Sequence, residues 1–162
     1  CRVLEIAYSM HYRTYWLYSK RVMKLEIEGD ISLEDLAGLD SEIRGHLDEG
    51  TAPVHLISEV YKLGHVPVNI MRIKNVVNYL KHPNLGWHLI VNRQPHSLTM
   101  FLASVATQAA GVKMHYVGST SEAVEALRRI DLTLENISES DFQAPPTNSS
   151  LAPPPTTDKP TA

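Results

Sequence analysis

Short segments with a hydrophobic period of two alternate along this chain with longer segments whose apolar residues recur every three or four positions. Residues 12–18 are aromatic-rich, and residues 21–29 alternate apolar side chains with Lys24 and Glu26, which predicts a half-buried strand. Residues 33–47 have the apolar spacing of an amphipathic helix instead. Repeated switching between these two periods is typical of an α/β domain.

Start and stop signals divide the segments into separate elements. Ser32 is an N-cap followed by acidic residues, and Pro83 ends a helix because the residue before proline avoids helical angles. The predicted strands are 12–18, 21–29, 53–58, 87–91 and 113–117, and the predicted helices are 33–49, 69–81, 97–110 and 119–131. The order β-β-α-β-α-β-α-β-α indicates a mixed β-sheet with helices packed on it.

The composition changes near residue 136. A chain of 162 residues has room for one domain, which we assign to residues 12–135, with residues 1–11 as an N-terminal extension. Residues 136–162 are rich in Pro, Ser and Thr, so they bury too little surface to offset ordering entropy and are predicted to be disordered. The alternative for this tail is a docking peptide, because its proline runs favour polyproline II.

Three local sequences, together with the order of elements, resemble the SpoIIAA-like/STAS domain family, the fold of the anti-sigma-factor antagonists. They are residues 25–30 before the first helix, residues 82–86 before a strand, and residues 117–123 before the last helix. The resemblance covers about residues 12–131. Within the family, the chain is more similar to the stand-alone members than to the sporulation regulators. It implies a non-enzymatic regulatory module that binds a partner protein.

The resemblance does not extend to the phosphorylation switch of the best-known members. In those proteins a kinase phosphorylates a serine in the loop after the third strand. Here the equivalent serines fall near His65 and Val66, and no Ser or Thr occurs between Glu59 and His96. We therefore predict that this chain lacks the phospho-acceptor serine.

Charge is segregated along the chain. Residues 60–121 contain no Asp or Glu but carry six Lys or Arg, whereas residues 32–50 are acidic apart from Arg44. One side of the domain should therefore be positive and another negative. Besides two merely solvated faces, this pattern fits an acidic protein partner, a bound small anion, or a homodimer that packs the acidic helix of one copy against the basic face of the other.

The candidate binding residues follow from that basic segment. Ligands of open α/β sheets gather beyond the carboxyl ends of the strands, and the second helix adds exposed cations. The residues chosen are Lys62, His65, Arg72, Lys74, Asn92, Arg93 and His96. The leading hypothesis is docking through the loop 61–69 and the second helix. The alternative is a binder or sensor of a small anion, such as a nucleotide or a lipid headgroup, between the loops at 62–69 and 92–97.

Other kinds of chemistry lack a supporting pattern. No pair of the eight histidines has the spacing of metal ligands on a predicted helix, so neither a metal nor a cofactor is predicted. No serine lies in a nucleophile elbow, and we predict that the chain is not an enzyme. Glu59, at the end of the third strand, is expected to form a structural ion pair, with Lys62 as one candidate. The dispersed cations and few exposed aromatics disfavour a nucleic-acid partner.

The compartment is inferred from cysteine usage and hydropathy. Cys1 is the sole cysteine, which fits a reducing environment and predicts a cytoplasmic protein. No apolar run approaches the ~18 residues that a membrane-spanning helix needs, and no secretion leader is visible.

Overall fold

The computed structural model describes residues 11–64, 69–91 and 113–145. The strands are β1 (His11–Tyr18), β2 (Val22–Gly29), β3 (Val54–Leu63), β4 (Leu85–Val91) and β5 (Lys113–Val117). The helices are α1 (Leu33–Glu49), α2 (Ile70–Val76) and α3 (Thr120–Ile130), with 3₁₀ turns at Tyr79–Lys81, Leu132–Leu134 and Glu139–Asp141. The helix predicted at 97–110 and the extension before His11 lie outside these residues.

The predicted mixed sheet is confirmed. Its strand order is β1-β2-β3-β4-β5, with β1 antiparallel to β2 and the other neighbours parallel. The register aligns Glu26 with Glu59, Glu59 with Val91, and Val91 with Val117. The carboxyl ends of four parallel strands therefore lie at one edge of the sheet.

Helices cover both faces of this sheet, and each face has its own core. On one face α1, α2 and the turn at Tyr79–Lys81 bury Ile43, Leu56 and Ile73 completely. On the other face α3 buries Leu127 against Ile57 and Leu89. Burial of such side chains contributes about 1.5–3 kcal/mol each, so α1 and α2 are held together on one side of the molecule.

Strand β2 differs from its prediction. Its alternating pattern predicts one solvated face, yet Lys24 is 8% exposed and Glu26 is 4% exposed. The reason is that β2 lies between β1 and β3 with helices on both sides of the sheet, so that its charged residues must pair with one another.

Helix α1 follows the prediction closely, but α2 is shorter than predicted. Ser32 Oγ accepts a hydrogen bond from Asp35 N–H, and the Asp35 carboxylate accepts one from Ser32 N–H, which together form a capping box. The second helix was expected to reach residue 81 but ends at Val76. Buried Asp40 accepts hydrogen bonds from the N–H groups of Asn78 and Tyr79. Because these N–H groups are already bonded to Asp40, they do not donate to the carbonyl groups of a longer α2.

The packed structure continues into the segment that we assigned to the tail. Ile137 is buried in the core beneath α3, and Phe142 packs against that core. Gln143 N–H donates to Leu17 C=O across 2.8 Å, at the edge of β1. Ile137 and Phe142 anchor residues 136–145, so the prediction of disorder is wrong for this part of the chain. Residues 146–162 lie outside the described residues.

Candidate functional site

Helix α2 presents a basic, partly apolar surface made of Met71, Arg72 and Lys74. Asn69 caps this helix through its side-chain oxygen, which accepts from Arg72 N–H at 3.2 Å. Ile73 is fully buried and fixes the helix on the core, whereas Met71 is 67% exposed and Arg72 and Lys74 are exposed. We call these three residues the α2 surface.

The cations of the α2 surface are not neutralised within the described part of the chain. Neither Arg72 nor Lys74 forms an ion pair with any residue in the ranges 11–64, 69–91 and 113–145. Their role in binding stays a prediction. The other candidates, namely the side chain of Lys62 and the residues His65, Asn92, Arg93 and His96, lie outside what the structure describes, as do residues 65–68 and 92–97 of the predicted anion site. The sequence predicts residues 61–63 in the loop before α2, but they form the end of β3, because the pairing with β2 continues as far as Leu63 beside Gly29.

Helix α1, on the same side of the sheet, presents acidic side chains. Glu34, Glu42 and Glu49 are exposed and form no ion pair with a described cation. Glu42 accepts a hydrogen bond from the hydroxyl of Thr14. We call these three glutamates the α1 surface. The charge segregation seen in the sequence thus lies on two neighbouring helices.

A network of buried charges lies in the middle of β2 and β3, on the face covered by α3. Lys24 Nζ is 2.8 Å from Glu59 Oε2 and 3.6 Å from Glu26 Oε1, and it donates to Thr120 Oγ1 at 3.1 Å. Arg13 Nε donates to the Glu26 carboxylate. The predicted structural pairing of Glu59 is therefore formed with Lys24.

Among the residues that the structure describes, the network is electrically balanced, since two cations contact two carboxylates. Balanced, hydrogen-bonded charges can be held in a core, whereas removal of one member leaves a buried charge without its partner. Sequence reasoning missed Lys24 and Glu26 because alternating charges on a strand ordinarily indicate a solvated face. The arrangement supports β2 and β3 rather than offering a free reactive group.

His55 and Asp131 tie the end of α3 to the sheet. His55 Nδ1 accepts from Trp87 N–H at 2.9 Å, so its Nε2–H donates to Asp131 Oδ2, also at 2.9 Å. Burial lowers the pKa of His55, and its hydrogen bond to Asp131 opposes that change. Burial raises the pKa of Asp131, but hydrogen bonds from His55 and Thr133 outweigh it and bring the pKa to about 2. Both ring nitrogens are occupied, which makes this a structural contact.

Replacement of Gly86 by alanine is expected to lower the free energy of unfolding by about 1–3 kcal/mol through overpacking. A Cβ atom there would lie 2.6 Å from His55 Nδ1 and 3.1 Å from Pro53 Cβ. Urea denaturation measures the change. The matched control is Gly45→Ala in α1, where a Cβ meets nothing within 4 Å. It should stabilise the fold by up to about 1 kcal/mol, and equal effects of both substitutions would contradict the packing argument.

Ser58 and His88 form a second buried pair, on the face covered by α1 and α2. Ser58 Oγ and His88 Nε2 are 2.7 Å apart, and both side chains are buried. Burial lowers the pKa of His88 to about 4. His88 Nδ1 has no hydrogen-bond partner in the ranges that the structure describes, so no acid of those ranges orients the ring as catalysis by a Ser–His pair requires. The pair is enclosed in the core, where a substrate does not reach the serine.

No group of three or more His, Cys, Asp or Glu side chains in the described ranges is arranged to hold a metal ion. No helix in those ranges is both long and apolar enough to cross a bilayer.

Comparison with known proteins bears on the fold. No family model and no curated protein matches the sequence. Among solved structures, an uncharacterised protein of the DUF3478 family from Shewanella loihica PV-4, described as having a SpoIIAA-like fold, matches with a TM-score of 0.52. The identity is 11%, and the match covers 74% of this chain and 95% of the Shewanella protein. The five-stranded sheet and the likeness agree: this chain has the SpoIIAA-like fold of the STAS-like proteins that its sequence resembles.

Proposed function

We propose that this protein is a non-enzymatic regulatory module that docks onto an acidic protein surface through the α2 surface. The observation that carries the proposal is that Met71 is exposed on the same short helix as two exposed cations, Arg72 and Lys74, which no described acid neutralises. Exposed Arg and Lys side chains accelerate encounter with an acidic partner, and an apolar side chain among them contributes contact area.

Docking by this module would not be controlled by serine or threonine phosphorylation of the loop before α2. No Ser or Thr occurs between Glu59 and His96, so this segment has no hydroxyl of the kind that is phosphorylated in the antagonists. The affinity would instead depend on ionic strength, because exposed charges are screened within about 8 Å at physiological salt.

Site-specific photocrosslinking in the source cells tests this function. A photoreactive benzoylphenylalanine at position 71 is expected to form a protein adduct whose crosslinked segment is acidic. The matched control places the same residue at position 132, because Leu132 is also an exposed apolar side chain, 72% exposed compared with 67% for Met71, but follows α3 on the other face. The adduct should disappear with Arg72→Glu and Lys74→Glu. An absent adduct, or one formed equally from position 132, would overturn the proposed function.

A further inference from the structure

The two charged surfaces of this chain complement each other but do not pair within it. Helices α1 and α2 pack side by side on one face of the sheet. Nevertheless, Arg72 and Lys74 form no ion pair with Glu34, Glu42 or Glu49. The opposite charges of the α1 surface and the α2 surface therefore do not form ion pairs with each other within one molecule.

In a twofold dimer, these opposite charges can pair between the two copies. In a twofold dimer the same patch of both copies forms the interface, so that a contact from residue i to residue j is repeated from j to i. Two neighbouring surfaces of opposite sign on one face are self-complementary under this operation. The α1 surface of one copy faces the α2 surface of the other, and both contacts are attractive.

We infer that the acidic partner of the α2 surface is helix α1 of a second copy of this chain. This inference rests on the proposed docking function and names its partner. In the dimer, Arg72 and Lys74 of each subunit lie opposite Glu34, Glu42 and Glu49 of the other.

The shape of α1 fits this arrangement. The solvent face of the helix between Glu34 and Glu49 carries Gly38, Ser41 and Gly45, all exposed, and glycine in a helix interior costs about 1 kcal/mol relative to alanine. A Cβ at Gly45 meets nothing within 4 Å, so packing within the described chain does not require this glycine. In the dimer, the small side chains allow the exposed Met71 of the second copy to approach the helix backbone.

Charge exchange between two variants tests the inference directly. Sedimentation velocity of the full chain should give twice the monomer mass of 18.1 kDa, with weaker association at high salt. Arg72→Glu/Lys74→Glu and Glu34→Lys/Glu49→Lys should each dissociate the dimer about 100-fold more readily, because like charges then face each other. A mixture of the two variants should associate as heterodimers, since both interfaces regain opposite charges. All substituted residues are exposed, and circular dichroism verifies that each variant is folded.

The outcomes separate this inference from the proposed function. A wild-type protein that remains monomeric, or variants that do not associate when mixed, would overturn the second-copy partner. If the position 71 crosslinker then forms an adduct with a different acidic protein, docking through α2 still stands. If it forms none, both proposals fail. An adduct of doubled mass with its crosslink in residues 33–49 supports both.

Discussion

Replacement of Lys24 by methionine is expected to lower the free energy of unfolding by about 3–5 kcal/mol, the cost of leaving buried charge without its partner. Lys24 Nζ lies 2.8 Å from the Glu59 carboxylate and 3.6 Å from that of Glu26. Methionine has nearly the volume of lysine but no charge, so the substitution removes the cation and retains most of the packing. Both glutamates are buried, and water does not replace the ammonium group. Urea denaturation at pH 7 measures the loss.

Two companion variants isolate the electrostatic cause. Lys24→Met combined with Glu59→Gln should recover much of the loss, because the negative charge that Lys24 balanced is then removed as well. Arg129→Met serves as the surface control, since it breaks the exposed pair of Arg129 with Glu125 and should cost less than about 1 kcal/mol. If Lys24→Met costs no more than Arg129→Met, the network does not hold the strands as described.

The sequence predicts the element types well because hydrophobic period reports which side of an element is buried. All five predicted strands are present, although β3 continues to Leu63 beyond its predicted end at residue 58, and α1 begins at its capping box. The same reasoning fails for β2, since period alone does not distinguish a face covered by water from one covered by α3. Lys24 and Glu26 have the pattern of a solvated face, and only the three-dimensional pairing with Glu59 makes their burial acceptable.

The end of α2 shows a second limit. Periodicity continues past Val76, but Asp40, from a different helix, takes the N–H groups of Asn78 and Tyr79. A contact between residues so far apart in sequence leaves no local signal. For the candidate site, charge segregation in the sequence predicts opposite surfaces, and the structure adds that Arg72 and Lys74 lie exposed on a helix beside acidic α1. It cannot be read from sequence that these two surfaces share one face of the sheet.

The protein should lose stability as the pH falls from about 6.5 to 4, and His88 should account for about 3 kcal/mol of that loss. Burial lowers the pKa of folded His88 from its ordinary 6.5 to about 4. Between these values the unfolded chain binds a proton that the folded chain does not. The free energy of unfolding therefore decreases as the pH decreases. The contribution is fully present above pH 6.5 and is lost at about pH 4. The difference between the two pKa values corresponds to about 3 kcal/mol.

Urea denaturation at a series of pH values, for the wild type and His88→Gln, isolates this contribution. Glutamine retains a polar group for Ser58 but does not titrate, so the difference between the two curves should flatten below pH 4. Ser58→Ala is the matched control. It removes the 2.7 Å hydrogen bond but keeps His88 buried, and since burial is the cause of the lowered pKa, its slope should match that of the wild type. His55 has its pKa lowered as well and adds a slope of the same sign to all three proteins, which the comparison cancels. A slope in His88→Gln as steep as that of the wild type, or a slope in Ser58→Ala reduced to that of His88→Gln, would mean that burial of His88 does not set the acid sensitivity.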